Sequence, residues 1–234
     1  MKISPHRLLS IFCSSYGPQY WWPMDRSHHE LNGSDPRFEV IVGAILTQNT
    51  AWSNVEKAII NLKQSNMLEI SAVSDCDLEK LKSFIRPSGF FNQKAQRLKT
   101  MALYLKNEYN GDLDLFFDQD IQPLRKKLLQ LNGIGPETAD SILLYAGDKP
   151  IFVVDAYTKR LFERLNPVTD LSYDSIQDYV ESDFSTYFPR NQLTQRYNEF
   201  HSLIVEHAKK FCRKKPYCSG CHVFDECIYP KTIL

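Results

Sequence analysis

Apolar residues recur at three- and four-residue intervals along most of the chain, the spacing that lines one face of a helix. The pattern predicts helices over Phe38–Leu46, Ala51–Leu62, Leu78–Phe84, Lys94–Lys106, Ile121–Leu131 and Thr138–Ala146. Between them stand Ser34-Asp35-Pro36, Pro87-Ser88-Gly89 and Gly147-Asp148-Lys149-Pro150, which carry the chemistry of helix starts and stops. One run, Ile151-Phe152-Val153-Val154, has β character. It is short and leads straight into Asp155, so a buried connector is expected there. No long repeat or low-complexity tract interrupts the pattern. The predicted fold class is all-α, with mostly short connections.

Composition narrows this only a little. The chain has 234 residues, 43% hydrophobic and 24% charged, the balance of a globular protein with one large or two small domains. No apolar run approaches the roughly 20 residues that span a bilayer. The first residues lack the apolar run of a signal peptide, so a cytoplasmic location is the expectation. The 28 basic and 28 acidic residues cancel, which argues against a general polyanion binder. Basic residues are gathered locally instead: Arg125-Lys126-Lys127, Lys94 with Arg97 and Lys99, and Lys209-Lys210 with Arg213-Lys214-Lys215.

Three features carry candidate chemistry. In LLQLNGIGPETADSILLY, Leu128–Tyr145, a turn at Gly133-Ile134-Gly135 joins two helices, and Pro136 sits where its missing N–H is harmless. Two glycines one residue apart permit positive φ and close approach of a partner. The N–H groups of the turn and of the next residues, Glu137 and Thr138, would then suit a phosphate oxygen, with Ile134 anchoring the turn in the core. An ordinary helix–turn–helix corner fits the glycines equally well. Asp155, after the buried run, can cap a helix and can also serve as a fixed carboxylate. Such a group can stabilise an oxocarbenium-like sugar and direct or deprotonate water. Finally, Cys212, Cys218, Cys221 and Cys227 form C-x5-C-x2-C-x5-C, while Cys13 and Cys76 stand alone. Four thiolates so close can hold a [4Fe–4S] cluster or a tetrahedral zinc, and His222 between them is read as a bystander.

Taken together, L-x-G-I-G-P-x-T-A, the spacing to V-V-D and the C-terminal cysteines resemble the helix-hairpin-helix DNA glycosylase superfamily, in its endonuclease III branch. The resemblance covers roughly residues 36–228. It implies a barrel-like helical domain over 33–148 carrying the hairpin, and a second helical domain from 1–32 and 149–234 carrying an iron–sulfur loop. It implies double-stranded DNA as partner, a substrate cleft between the domains, and Asp155 at the catalytic aspartate's position. The family's cysteine spacing, C-x6-C-x2-C-x5-C, has a first gap one residue longer, and it favours a [4Fe–4S] cluster over zinc. Arg213, Lys214 and Lys215 would then lie on a metal-ordered loop facing the DNA backbone.

One departure bears on the reaction. Branch members that also cut the strand carry a lysine two residues after the second hairpin glycine; here that residue is Glu137, which cannot form an imine. The expectation is a monofunctional, monomeric glycosylase, with Lys149 and Lys159 as the alternative amines. TQNTAW at Thr47–Trp52, WWP at Trp21–Pro23, RPSGFFNQKA at Arg86–Ala95 and GPETADSILLYA at Gly135–Ala146 are similar to the branch members that remove 3-methyladenine. Trp22 and Trp52, with Trp21 as a third candidate, would clamp a flipped cationic base, and Gln48 and Asn49 would fill the gap it leaves. A glycosylase for oxidised pyrimidines or mismatches, and a DNA-binding module without catalysis, are the rival readings.

Overall fold

The computed structural model describes residues 3–165 and 169–229. Among them there are thirteen α-helices, three short 3₁₀ or π segments and no strand. No helix among them is long and apolar enough to cross a membrane. The chain forms two compact units, Trp22–Gly147 and a second made of Met1–Trp21 with Asp148–Leu234. The resemblance implied 33–148 as one domain and 1–32 with 149–234 as the other; residues 22–32 instead fall with the first unit.

In the 22–147 unit the helix Pro36–Leu46 is buried from Phe38 to Leu46, as expected of a segment apolar on all sides. Asp35 caps it, accepting from the Arg37 N–H at 2.8 Å, and Pro36 opens it. Trp52–Gln64, Phe91–Tyr109 and Pro136–Ser141 pack on it, Leu78–Ile85 packs on the first two of these, and Ile121–Leu129 packs on the third. Three short helices, Arg26–Asn32, Ile70–Asp75 and Leu113–Phe117, have no clear apolar period and were not predicted. Glu39, the buried charged residue of the central helix, is 2% exposed. It is matched by His29 Nε2 at 2.7 Å and Lys63 Nζ at 3.0 Å, as a buried charge must be.

The last hairpin helix does not run unbroken to Ala146. It gives way to a π segment, Ile142–Ala146, closed by the Gly147 N–H donating to the Ile142 carbonyl at 3.1 Å. A Cβ on Gly147 would lie 2.6 Å from the Phe117 ring, so only glycine lets this end pack.

In the other unit, Pro5–Tyr16 packs on Leu193–Lys210, which also meets Ala156–Leu165 and Tyr173–Tyr187. The run Ile151–Val154 is buried and belongs to no helix, and among the described residues there is no strand for it to pair with. Side chains satisfy its backbone: Glu181 accepts from the Phe152 N–H at 2.8 Å, and Gln177 donates to the Phe152 carbonyl at 2.6 Å.

Two of the expected basic gatherings turn inward. Lys94 is 1% exposed and donates to the carbonyls of Leu46 (2.8 Å) and Ser88 (2.7 Å). Arg125 makes a forked pair with the fully buried Asp140, at 2.6 and 3.0 Å. Replacing Asp140 by leucine should therefore lower the unfolding free energy by about 3–5 kcal/mol, because Arg125 loses its partner. Urea denaturation checks this, and a loss below about 1 kcal/mol would deny the pair that role.

Candidate active site and cysteine cluster

The two hairpin glycines do different work. Gly133 has φ +83°, and a Cβ there would overlap the Arg97 side chain. Gly135 has φ −92° and ψ 178°, ordinary extended backbone, with open space where a Cβ would go. The expectation that both pass through positive φ is corrected to Gly133 alone. Gly135 instead keeps the surface of the turn low where a partner can approach. Ile134 is buried as expected, and its N–H donates to the Leu131 carbonyl at 3.0 Å. The next helix begins with the Ala139 N–H on the Gly135 carbonyl at 2.9 Å.

Gln48 supports the turn from beneath. Its Nε2 donates to the Gly133 carbonyl (2.9 Å) and to Thr138 Oγ1 (2.8 Å), while its Oε1 accepts from Arg97. The side chains of Gln48 and Thr138, expected on the DNA side, are therefore turned toward the hairpin. Asn49 is exposed with φ +55°, a conformation that asparagine tolerates better than most residues. Phe90 is 64% exposed at φ +46°. Both loops hang on Lys94, whose acceptors lie three residues before Asn49 and two before Phe90. Burial, with Arg97 nearby, pushes the Lys94 pKa down to about 8. Glu137 is exposed in the first turn of the second hairpin helix.

Trp22, Trp52 and Tyr145 meet in one half-buried corner of the same unit. Trp22 stands edge-to-face with Trp52 (5.2 Å, 85°) and tilted against Tyr145 (5.1 Å, 57°). Its ring rests on Gly43, where a Cβ would lie 3.0 Å from Cζ2. The two tryptophans thus offer a face and an edge, not the two parallel faces of a clamp. Trp21 belongs to the other unit and meets His201 edge-on at 5.8 Å and 79°.

Asp155 caps the helix Ala156–Leu165. Its Oδ1 accepts from the Thr158 N–H (2.7 Å) and Thr158 Oγ1 (2.8 Å). Its Oδ2 lies 3.6 Å from His201 Nε2, and the side chain is 12% exposed. Burial pushes the Asp155 pKa up, but His201 and the Thr158 donors outweigh burial and hold it below the ordinary carboxylate range. Such a group is capped on one oxygen and shielded from water, with its charged form favoured, as suits an electrostatic stabiliser or a base.

The four C-terminal cysteines line one cavity, together with Leu161, Arg164, His207 and Phe211. Arg164 is buried and holds this loop from inside. Its guanidinium donates to Cys212 Sγ (3.2 Å) and to the carbonyls of Arg213 (2.7 Å) and Lys214 (3.1 Å). Arg160 Nε adds a bond to the Cys212 carbonyl at 2.7 Å. The side chains of Arg213, Lys214 and Lys215 are exposed. His207 stands with Nε2 3.8 Å from Cys221 Sγ and its other ring nitrogen 2.8 Å from the Tyr16 hydroxyl. Burial, and then the neighbouring thiols, push the Cys221 pKa up to about 11.

Thiols gathered in an apolar cavity, with donors already aimed at two of them, suit a group that binds thiolates. Among the described residues no three His, Cys, Asp or Glu side chains are disposed to hold a metal ion.

His201, Arg164, His207, Lys94 and Arg97 had no site role in the sequence reading. A signal existed for two of them. On Leu193–Lys210 the buried residues include Tyr197, Phe200, His201, Ile204, His207 and Ala208, so both histidines fall on the apolar stripe. Arg164, nine residues beyond Asp155, had no such marker.

Residues 42–185 match the HhH-GPD superfamily of base excision DNA repair proteins. A Methanocaldococcus jannaschii protein, MJ1434, provisionally named a DNA repair glycosylase, is 45% identical over 225 residues, 95% of each chain. Endonuclease III of Sulfolobus acidocaldarius is 30% identical over 82% of each chain. Among solved structures, the H. pylori 3-methyladenine DNA glycosylase MagIII bound to 1,N6-ethenoadenine superposes with a TM-score of 0.73 at 31% identity. That match covers 88% of this chain and 98% of MagIII. A non-covalent endonuclease III–DNA complex shares the fold, with a TM-score of 0.76 at 18% identity over 99% and 98% of the two chains. The chain belongs to the HhH-GPD superfamily, in its endonuclease III branch. It is a DNA glycosylase of base excision repair.

The unequal glycines separate in a stability measurement. Gly133→Ala should destabilise the fold by about 2 kcal/mol or more, from left-handed strain and the displaced Arg97. Gly135→Ala should cost less than about 1 kcal/mol. Equal losses in chemical denaturation would contradict this assignment. For Asp155 the native pKa is depressed, so its contribution is complete above the ordinary value of 3.8 and is lost as pH falls through the lower native value. The stability gap between wild type and Asp155→Asn should therefore narrow as pH drops below 3.8. A gap independent of pH would show that the carboxylate is not held ionised.

Proposed function

We propose that this chain is a monofunctional DNA glycosylase that flips out alkylated bases of the 3-methyladenine type and hydrolyses their N-glycosidic bonds. The observation that carries the hydrolytic reading is Glu137, an exposed carboxylate where the strand-cutting relatives have their amine, paired with an Asp155 held ionised in a dry setting. A cationic alkylated purine leaves as a neutral base when the bond to C1′ breaks and takes the electron pair. The sugar is then a cation, which the Asp155 carboxylate stabilises. Water adds its oxygen to C1′ and gives its proton to Asp155. The products are a free base and an abasic site in an uncut strand.

Base selection would fall to the Trp22–Trp52–Tyr145 corner, whose aromatic rings are of the type that stacks on a base and attracts a cationic one. The likeness to MagIII, a 3-methyladenine DNA glycosylase, supports this substrate class. The Gly133–Gly135 turn and the first N–H groups of the following helix would grip a phosphate of double-stranded DNA. Asn49, with the exposed Phe90, would occupy the gap in the duplex, and Arg213, Lys214 and Lys215 would meet the backbone. Cys212, Cys218, Cys221 and Cys227 would hold a [4Fe–4S] cluster, which when bound supplies structural closure of the loop and no step of the hydrolysis. A monomer in the cytoplasm, associated with the nucleoid, completes this reading.

Purified protein should release 3-methyladenine from duplex DNA, leave strands uncut and yield no imine trapped by borohydride. Release of thymine glycol with trapped imine would overturn the monofunctional reading, and T·G or U·G excision alone would overturn the alkyl specificity. Asp155→Asn should abolish base release while DNA affinity stays within about threefold. Protein purified without air should show visible absorption and about four irons per chain. Stoichiometric zinc without iron would refute the cluster.

A further inference from the structure

Asp155 has four lone-pair directions, and the helix cap uses two of them. Thr158 engages Oδ1 twice, through its N–H at 2.7 Å and its hydroxyl at 2.8 Å. Only Oδ2 is left for chemistry. The torsion that swings a carboxylate about its stem is soft, so a cap on one oxygen does not by itself fix the plane of the other. The group facing Oδ2 is His201 Nε2, at 3.6 Å, an ion-pair separation just beyond hydrogen-bond distance.

His201 is itself held. It is 5% exposed, on the buried stripe of Leu193–Lys210, and Trp21 meets its ring edge-on at 5.8 Å and 79°. Phe152 meets the same ring at 6.5 Å and 84°. Three residues earlier on that helix, Asn198 donates to the Trp21 carbonyl at 2.9 Å, which fixes the chain carrying the indole. Thus one helix face positions an imidazole, and the ring packed against it, toward the oxygen that the cap leaves over.

We propose that His201 is a positioning residue for Asp155: with its proton on Nε2 it fixes the plane of the carboxylate and directs the remaining lone pair of Oδ2 toward the sugar. This rests on the hydrolytic role of Asp155 proposed above. The imidazole touches neither the base nor the water; it acts through the carboxylate. The depressed pKa of Asp155 agrees with a donor on that side. A buried carboxylate without one would move toward its neutral form, in which it neither stabilises a cation nor accepts a proton.

The test compares wild type, His201→Leu and His201→Gln in single-turnover base release, on the lesion that wild type excises best. Gln has a donor near the reach of Nε2. His201→Leu should slow release by roughly 10- to 100-fold, the size of effect expected when a buried carboxylate loses its polar neighbour. His201→Gln should recover most of that loss. Both should bind DNA containing an abasic-site analogue as wild type does, and both should melt at similar temperatures. Unchanged release in His201→Leu would overturn the proposal. So would equal losses in both variants that track a lowered melting temperature, which would mark a purely structural histidine. If wild type releases no base from any lesion, or Asp155→Asn retains full activity, the parent reading fails. Those outcomes are distinct from a normal wild type with indifferent His201 variants.

Discussion

A carboxylate withdrawn from water must be met by donors, and in the unit containing Asp155 that requirement organises its neighbours. The connector Ile151–Val154 delivers Asp155 to the start of a helix, where backbone N–H groups lack partners of their own. Cap and carboxylate therefore satisfy each other. The helix that follows, Ala156–Leu165, has ten residues and carries Arg160 and Arg164 on its later turns. Those side chains hold the Cys212 loop through its carbonyls and one sulfur. A single short helix thus fixes a carboxylate at its start and a cysteine-lined cavity along its flank.

The other unit follows the same logic with different groups. Its surface features are held from beneath by polar side chains facing inward. Gln48 and Arg97 brace the Gly133 turn, and Lys94 ties together the ends of two loops. Glu39, His29 and Lys63 lock the central helix to its neighbours. Such buried networks are stable only when every member is satisfied, so they give rigid geometry rather than tolerance. The Gly133 turn gains its fixed backbone from that rigidity, since its glycines have no side chains with which to hold it.

The longer helices of the 22–147 unit were legible in the sequence, as were the buried connector before Asp155 and the helix after it, whereas Pro5–Tyr16, Tyr173–Tyr187 and Leu193–Lys210 were not picked out. The register of the legible helices follows from apolar burial alone. The short helices Arg26–Asn32, Ile70–Asp75 and Leu113–Phe117 escaped because five to seven residues carry too little period to separate from a turn. At the site, Asp155 and the cysteines were visible because their residue types and spacing are unusual. Direction was not visible. Lys94, Arg97 and Arg125 count as basic residues in a tally of charge, but each is committed to a partner inside the fold. Gln48 and Thr138 hold each other, and the two glycines of one turn proved to have different backbones. Such facts depend on which face a side chain occupies, and pattern reading leaves that open for polar residues inside a helix.

Gly43 has a consequence that reaches beyond packing. Trp22 lies against it closely enough that a methyl group would force the indole to shift. The position of an aromatic surface is therefore set from behind, by a residue on a buried helix that itself presents nothing to solvent. Divergence among related chains could then retune which flat molecule fits at that corner without altering any residue that touches it. The smallest residue in the central helix acts as the gauge for the largest ring beside it.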